Sequence, residues 1–202
     1  MKKFITLFVI IISTSIYSQE KYLGDGPFDQ LIIRGVTLIN GDGSPPRGPV
    51  DIVVENNIIK NIKSVGYPGV EIKDSRMPVL KKEGYELDAI GMYLLPGFID
   101  MHGHIGGTGQ GADYDYVFRL WMAHGITTVR EPGGRGIDWA LNLKKLSAEN
   151  KIVAPRIFAY TSFGQTGKNF NPLNGAPISN PEMARSWVRA NAKKGADGIK
   201  FF

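Results

Sequence analysis

The sequence predicts an α/β chain in which a small β unit precedes a parallel sheet covered by helices. Three observations carry this expectation: apolar runs that meet at the Asn56-Asn57 turn, a change of texture near Tyr93, and strict strand–helix alternation from there onward. Alternating strands and helices must bury the apolar face of each strand under a helix, and the stable outcome is a parallel sheet.

The β unit comes first. Residues 31–39, Leu-Ile-Ile-Arg-Gly-Val-Thr-Leu-Ile, read as one or two short strands, closed by the turn-rich Asn40-Gly41-Asp42-Gly43-Ser44-Pro45-Pro46. Residues 51–55 and 58–62 flank Asn56-Asn57, a two-residue hairpin turn that needs residues tolerant of positive φ. Residues 66–90 read as irregular, with Pro68, Pro78 and a solvated Lys81-Lys82-Glu83 stretch.

From residue 93 the texture changes. A strand over 93–100 leads through a Gly-rich loop to a helix over 114–124, and a strand over 126–130 leads to a helix over 138–150. A strand over 156–160 is followed by a long loop and a helix that opens with Asn180 as N-cap and Pro181 in its first turn. That helix ends in Lys193-Lys194-Gly195, cations that suit the negative end of the helix dipole and a glycine suited to the left-handed cap. A last strand covers 198–202, giving four strands and three helices in this part.

Composition narrows the function classes. Hydrophobic residues at 43% and charged residues at 21% are ordinary for a globular chain and exclude bulk disorder. The net charge of +5 is spread along the chain, with no basic run interleaved with aromatics, so a nucleic-acid partner is not expected. Cysteine is absent, which excludes disulfides, thiolate ligands, a Cys nucleophile and lipidation at Cys. Any metal must therefore be held by His, carboxylate or a modified side chain.

Lys2-Lys3 followed by the apolar run from Phe4 to Ile12 has the form of a secretory signal peptide over residues 1–18. Cleavage after Ser18 would leave Gln19 first and send the product to the periplasm or outside the cell. The run is shorter than the ~20 residues of a membrane span, and no later segment reaches that length, so no stable span is expected after cleavage. Ile16 and Tyr17 prolong the apolar character and keep an uncleaved anchor as the alternative.

The densest chemical signal is Pro96-Gly97-Phe98-Ile99-Asp100-Met101-His102-Gly103-His104. Alternate residues of a strand share a face, so Asp100, His102 and His104 are expected to point the same way. Two imidazoles at the exit of a parallel strand can converge on one cation, as Zn prefers at ~2.0–2.1 Å. Asp100 could orient one of them from behind, and Gly103 keeps the position between them free of bulk. Spacing alone leaves open a second reading, two polar residues at a solvated strand end.

This segment resembles the first-strand signature of the amidohydrolase superfamily, Pro-Gly-x-Ile-Asp-x-His-x-His, and matches it throughout 96–104. With Gly125-Ile126-Thr127-Thr128-Val129-Arg130 it is similar to the imidazolonepropionase-like and prolidase-like branch. The resemblance spans 30–202 and implies a small N-terminal β-sandwich portion over 19–92, followed over 93–202 by the first half of a (β/α)8 TIM-like barrel. It also implies one or two divalent ions, Zn foremost, with His102 and His104 as ligands. Gly195-Ala196-Asp197-Gly198-Ile199-Lys200 looks like the fourth-strand segment whose Lys many relatives carbamylate as a bridging ligand. A buried amine is held neutral and can take up carbon dioxide, so Lys200 is the third expected ligand, against the alternative of an ordinary strand-end Lys.

The resemblance implies hydrolysis of an amide, peptide or cyclic-amide C–N bond in a small dipeptide-like substrate; the oligomeric state of the full-length protein is left open, a homo-oligomer being one outcome. Arg130 and Glu131 fall at the second-strand exit, on the mouth face, as substrate contacts or as an ion pair. His124, before Gly125, is expected to cap a helix. Relatives take further His ligands from the fifth and sixth strands and a base Asp from the eighth. The 202 residues are thus expected to stop halfway through the barrel and to be inactive alone, with a non-catalytic metal-binding half-barrel or truncated relic as the second reading. A minor rival is dinucleotide-binding oxidoreductase chemistry. Gly107-Thr108-Gly109-Gln110-Gly111-Ala112 fits a Gly-x-Gly-x-x-Ala fingerprint, with Glu131 about 20 residues later, but His102-Gly103-His104 intrudes between strand and loop.

Overall fold

A computed structural model describes residues 25–106, 111–133, 136–163 and 178–201. The expected signal peptide, its cleavage point before Gln19 and the Gly107–Gln110 part of the glycine-rich segment lie outside the described residues.

The first sheet is built around β1 (Gln30–Leu38), whose apolar run places Ile32, Val36 and Leu38 in a core with Val50 and Ile52. Antiparallel β2 (Arg47–Glu55) lies beside it, and β3 (Ile58–Ser64) returns through Asn56 and Asn57 at φ 50° and 62°. Two consecutive positive φ values give the type I′ turn that matches strand twist, as the Asn-Asn pair predicts. The pairing of β1 with β2 shifts between Ile33 and Val36, where Gly35 takes φ 68°.

Two further strands lie parallel to β1: β4 (Tyr85–Asp88) and β5 (Tyr93–Leu94). The sheet order is β3-β2-β1-β4, with β5 also on β1. Strand β4 falls in the stretch expected to be irregular. Its residues are all exposed and two are acidic, so it carries no burial pattern. An ion network explains its seat. Arg34 of β1, only 7% exposed, reaches Asp51 at 2.8 Å and Glu86 of β4 at 2.6 Å, while Asp51 accepts from the Gly35 amide at 2.9 Å. Ion-paired, hydrogen-bonded charges of this kind can be buried where isolated ones cannot.

The strand expected over 93–100 is two strands. Tyr93-Leu94 joins the first sheet, and β6 (Phe98–Asp100) begins the second after Leu95-Pro96-Gly97. Pro96 has no N–H to donate to a ladder, so the pairing breaks there. Gly97 then packs so closely on Thr127 that any Cβ would collide with it.

The second sheet is wholly parallel, in the order β6, β7 (Ile126–Glu131), β8 (Arg156–Phe163), β9 (Gly198–Phe201). Helices α1 (Tyr114–Ala123), α2 (Ile137–Ala148) and α3 (Pro181–Lys194) alternate with these strands. Phe118, Val129, Leu143 and Ile157 form one core between α1, α2 and the sheet, and Ile137, Ala140 and Ala159 form another. Pleating sends alternate residues to opposite faces. Val129, Ile157 and Ala159 therefore mark the helix side, whereas Arg130, Phe158 and Tyr160 face away from the helices. The caps follow the sequence: Asn180 accepts from the Met183 amide at 2.9 Å, and Gly195 ends α3 at φ 106°.

The whole is an α/β chain, an N-terminal sandwich portion followed by the first half of a (β/α)8 barrel. At its two edges the parallel sheet shows Ile99 at 60% and Phe201 at 68% exposure, apolar surface that a closed barrel would cover.

Candidate active site at the first-strand exit

Strand β6 ends at Asp100, because the Asp100 side chain turns the chain there. Its Oδ1 accepts from the His102 amide at 2.8 Å, a local side-chain-to-backbone bond that competes with strand continuation. The two histidines consequently sit on a turn and loop beyond the strand. Their convergence does not come from strand alternation. Asp100 acts on His102 through its backbone.

The loop is pinned to β7. The Gly103 amide donates to the Arg130 carbonyl at 3.2 Å, and a Cβ at Gly103 would lie 2.6 Å from Val129 Cγ2. Only glycine allows this approach, and it brings the His102 and His104 rings to 5.4 Å between centroids.

From the far side of the sheet Lys200, on β9, brings Nζ to 3.4 Å from His102 Nε2. His102, His104 and Lys200, expected as ligands, are thus gathered at one strand-exit end of the sheet. His124 stays apart from this cluster: its Nδ1 donates to the Leu120 carbonyl at 2.7 Å and closes α1.

Glu131 is 1% exposed and shares the helix-side phase of Val129. Its Oε1 lies 3.2 Å from His104 Nδ1 and accepts from the Gly133 amide at 2.9 Å, while Oε2 accepts from the Ile105 amide at 2.7 Å. Sequence reasoning assigned Glu131 to substrate contact or an ion pair, and missed this link to His104. The available signal was its phase, since a carboxylate in register with a core valine must find donors. These bonds also commit the carboxylate that a dinucleotide fingerprint would have used for a ribose.

Arg130 faces the opposite way. Its guanidinium lies over the Tyr160 ring at 5.2 Å, and its buried Nε has no hydrogen-bond partner among the described residues. It does not pair with Glu131.

The donor chemistry fits a divalent ion in part. Two imidazoles converge beside an amine, which as a carbamate would supply an oxygen ligand. Among the described residues no group of three His or carboxylate side chains gathers around a common point, so a full shell needs donors beyond these.

The chain thus joins a sandwich portion to half a (β/α)8 barrel, with paired histidines beyond the first barrel strand. No family model matches the chain. A dihydroorotase of Thermoanaerobacter sp. (strain X514) is 36% identical over 76 residues, 38% of this chain and 14% of that protein. Among solved structures, a Xaa-Pro dipeptidase with methionine bound in its active site is 27% identical with TM-score 0.57, over 85% of this chain and 46% of that one. A prolidase-like protein from Bifidobacterium longum matches at 23% identity and TM-score 0.63, over 87% of this chain and 41% of its own. The bottromycin amidohydrolase matches at 19% and TM-score 0.61, over 89% and 34%. The chain spans less than half the length of these relatives, and over that span it resembles amidohydrolase-superfamily proteins of the prolidase kind.

Proposed function

We propose that the chain is the N-terminal part of a metal-dependent amidohydrolase that cleaves a C–N bond of a small amide or dipeptide-like substrate. The observation that carries this reading is the meeting of Lys200 with His102, 98 residues apart in sequence, beside His104. Amine and imidazole nitrogens gathered at a parallel-sheet mouth have little structural use, whereas barrel enzymes build their chemistry at that face.

In this reading His102 and His104 are nitrogen ligands and Lys200, carbamylated, is an oxygen ligand for one or two divalent ions, zinc foremost. A bound ion of this kind lowers the pKa of its water towards ~7 and polarises the scissile carbonyl. Asp100 holds the His102 backbone in its turn, and Gly103 lets the loop lie on β7. Arg130 offers its cation to a substrate carboxylate, which the terminal carboxylate of a dipeptide would provide. The resemblance puts the general base on the eighth barrel strand, and with three donors in hand the 202 residues alone are expected to show no turnover.

The test is metal analysis and amide hydrolysis with full-length protein. Replacing His102 and His104 together by Ala should remove bound zinc and reduce hydrolysis of a dipeptide panel to background. Unchanged zinc content in that variant would refute the ligand assignment. Zinc binding without hydrolysis of any acylated amino acid, dipeptide or cyclic amide would favour the non-catalytic half-barrel.

A further inference from the structure

We propose that Glu131 is a positioning residue that sets the tautomer of His104 and locks the histidine loop onto the exit of β7. This rests on the metal-binding reading above and assigns a residue beyond its ligand set.

The argument begins with donors and acceptors. N–H groups that meet the Glu131 carboxyl include the amides of Ile105 at 2.7 Å and Gly133 at 2.9 Å, and His104 Nδ1 at 3.2 Å. A carboxylate only accepts, so a hydrogen bond to Oε1 requires the imidazole proton to be on Nδ1. Neutral imidazole carries one N–H, and Nε2 is then left with the lone pair. Nε2 is thereby the nitrogen available to a cation. An orienting partner on the other ring nitrogen is what a ligating His needs to hold both its tautomer and its ring plane.

The same carboxylate fixes the backbone. Ile105 is 1% exposed in the core beneath α1, and its amide is bound by Glu131 Oε2, while Gly133 follows β7. One side chain therefore joins the loop after β6, the turn after β7 and the His104 ring. Glu131 is 1% exposed and on the helix side, and His104 links it to the mouth.

Glutamine is the informative replacement, since it keeps the shape and has one accepting oxygen and one donating NH2. Directed at Ile105, the NH2 opposes another donor. Directed at His104, it favours an unprotonated Nδ1 and puts the ring proton on Nε2. Either outcome removes part of what Glu131 does.

The experiment uses full-length protein labelled with 15N-histidine, metal-free, together with zinc titration by chelator competition. His104→Ala assigns the resonances. The wild type should show the His104 proton on Nδ1, and Glu131→Gln should shift it towards Nε2 and weaken zinc binding by roughly 10–100-fold. A wild-type His104 protonated at Nε2 overturns the proposal, whether or not the variant folds. An unchanged tautomer and zinc affinity in folded Glu131→Gln also overturn it. A wild type that shows the Nδ1 proton but binds no zinc supports the tautomer assignment and refutes the metal reading, so the two failures are distinguishable.

Discussion

Gly103→Ala tests whether close approach of loop and strand is what gathers the histidines. The added Cβ would sit 2.6 Å from Val129 Cγ2, 3.0 Å from Trp121 Cη2 and 3.1 Å from Asp100 Oδ2, whereas ordinary contact begins at 3.4 Å. The loop must therefore retreat by about 0.8 Å, or Val129, which is fully buried, must move. Overpacking of this kind costs about 1–3 kcal/mol. The loop's amide bond to Arg130 at 3.2 Å would stretch as it withdraws, and His102 and His104 would move with it. Urea unfolding of Gly103→Ala should show that loss, and zinc affinity should fall. The decisive measurement is a double-mutant cycle with Val129→Ala, which removes the obstructing methyl. If the contact is the cause, the two substitutions couple by about 0.5–3 kcal/mol, the double variant being more stable than additivity allows. Strict additivity would refute the argument and move the cost of Gly103→Ala elsewhere in the loop.

Two further outcomes are expected. Ser44, through its side chain and its amide at 2.9 Å, and Asn40 at 2.6 Å donate to the Asp42 carboxylate and push its pKa down to about 2, which a carboxyl NMR titration should show. A depressed folded-state pKa stabilises above the unfolded value near ~3.9, and that contribution is lost as pH falls through about 2. An unshifted midpoint would mean the turn is not held this way. Export is proposed from Lys2-Lys3 and the apolar run to Ile12, so N-terminal sequencing of secreted or periplasmic protein should begin near Gln19. An intact Met1 on that material would refute cleavage.

Much of the architecture was legible because local patterns recorded it. The Asn56-Asn57 turn, the Asn180 cap, the Gly195 stop and the alternation from β7 to β9 each follow from residues whose backbone preferences are strong. Other features depend on contacts between distant residues. The sequence hides β4, since four exposed residues carry no periodicity and their seat depends on Arg34 reaching Glu86 across 52 positions. It hides the break at Pro96 because an apolar run can serve two sheets in succession.

The amino-acid sequence by itself determined that a β unit leads into a parallel α/β sheet, and that His102, Gly103 and His104 lie at the first strand's exit. Strand and helix periods, caps and turns are encoded over a few residues, so they survive without tertiary information. Only the tertiary structure decided that Asp100 ends the strand, that Lys200 comes beside His102, and that Glu131 turns inward to His104 while Arg130 turns outward over Tyr160. The physical reason is that a buried carboxylate is stable only where donors converge on it. Those donors come from two separate loops brought together when the sheet packs against its helices.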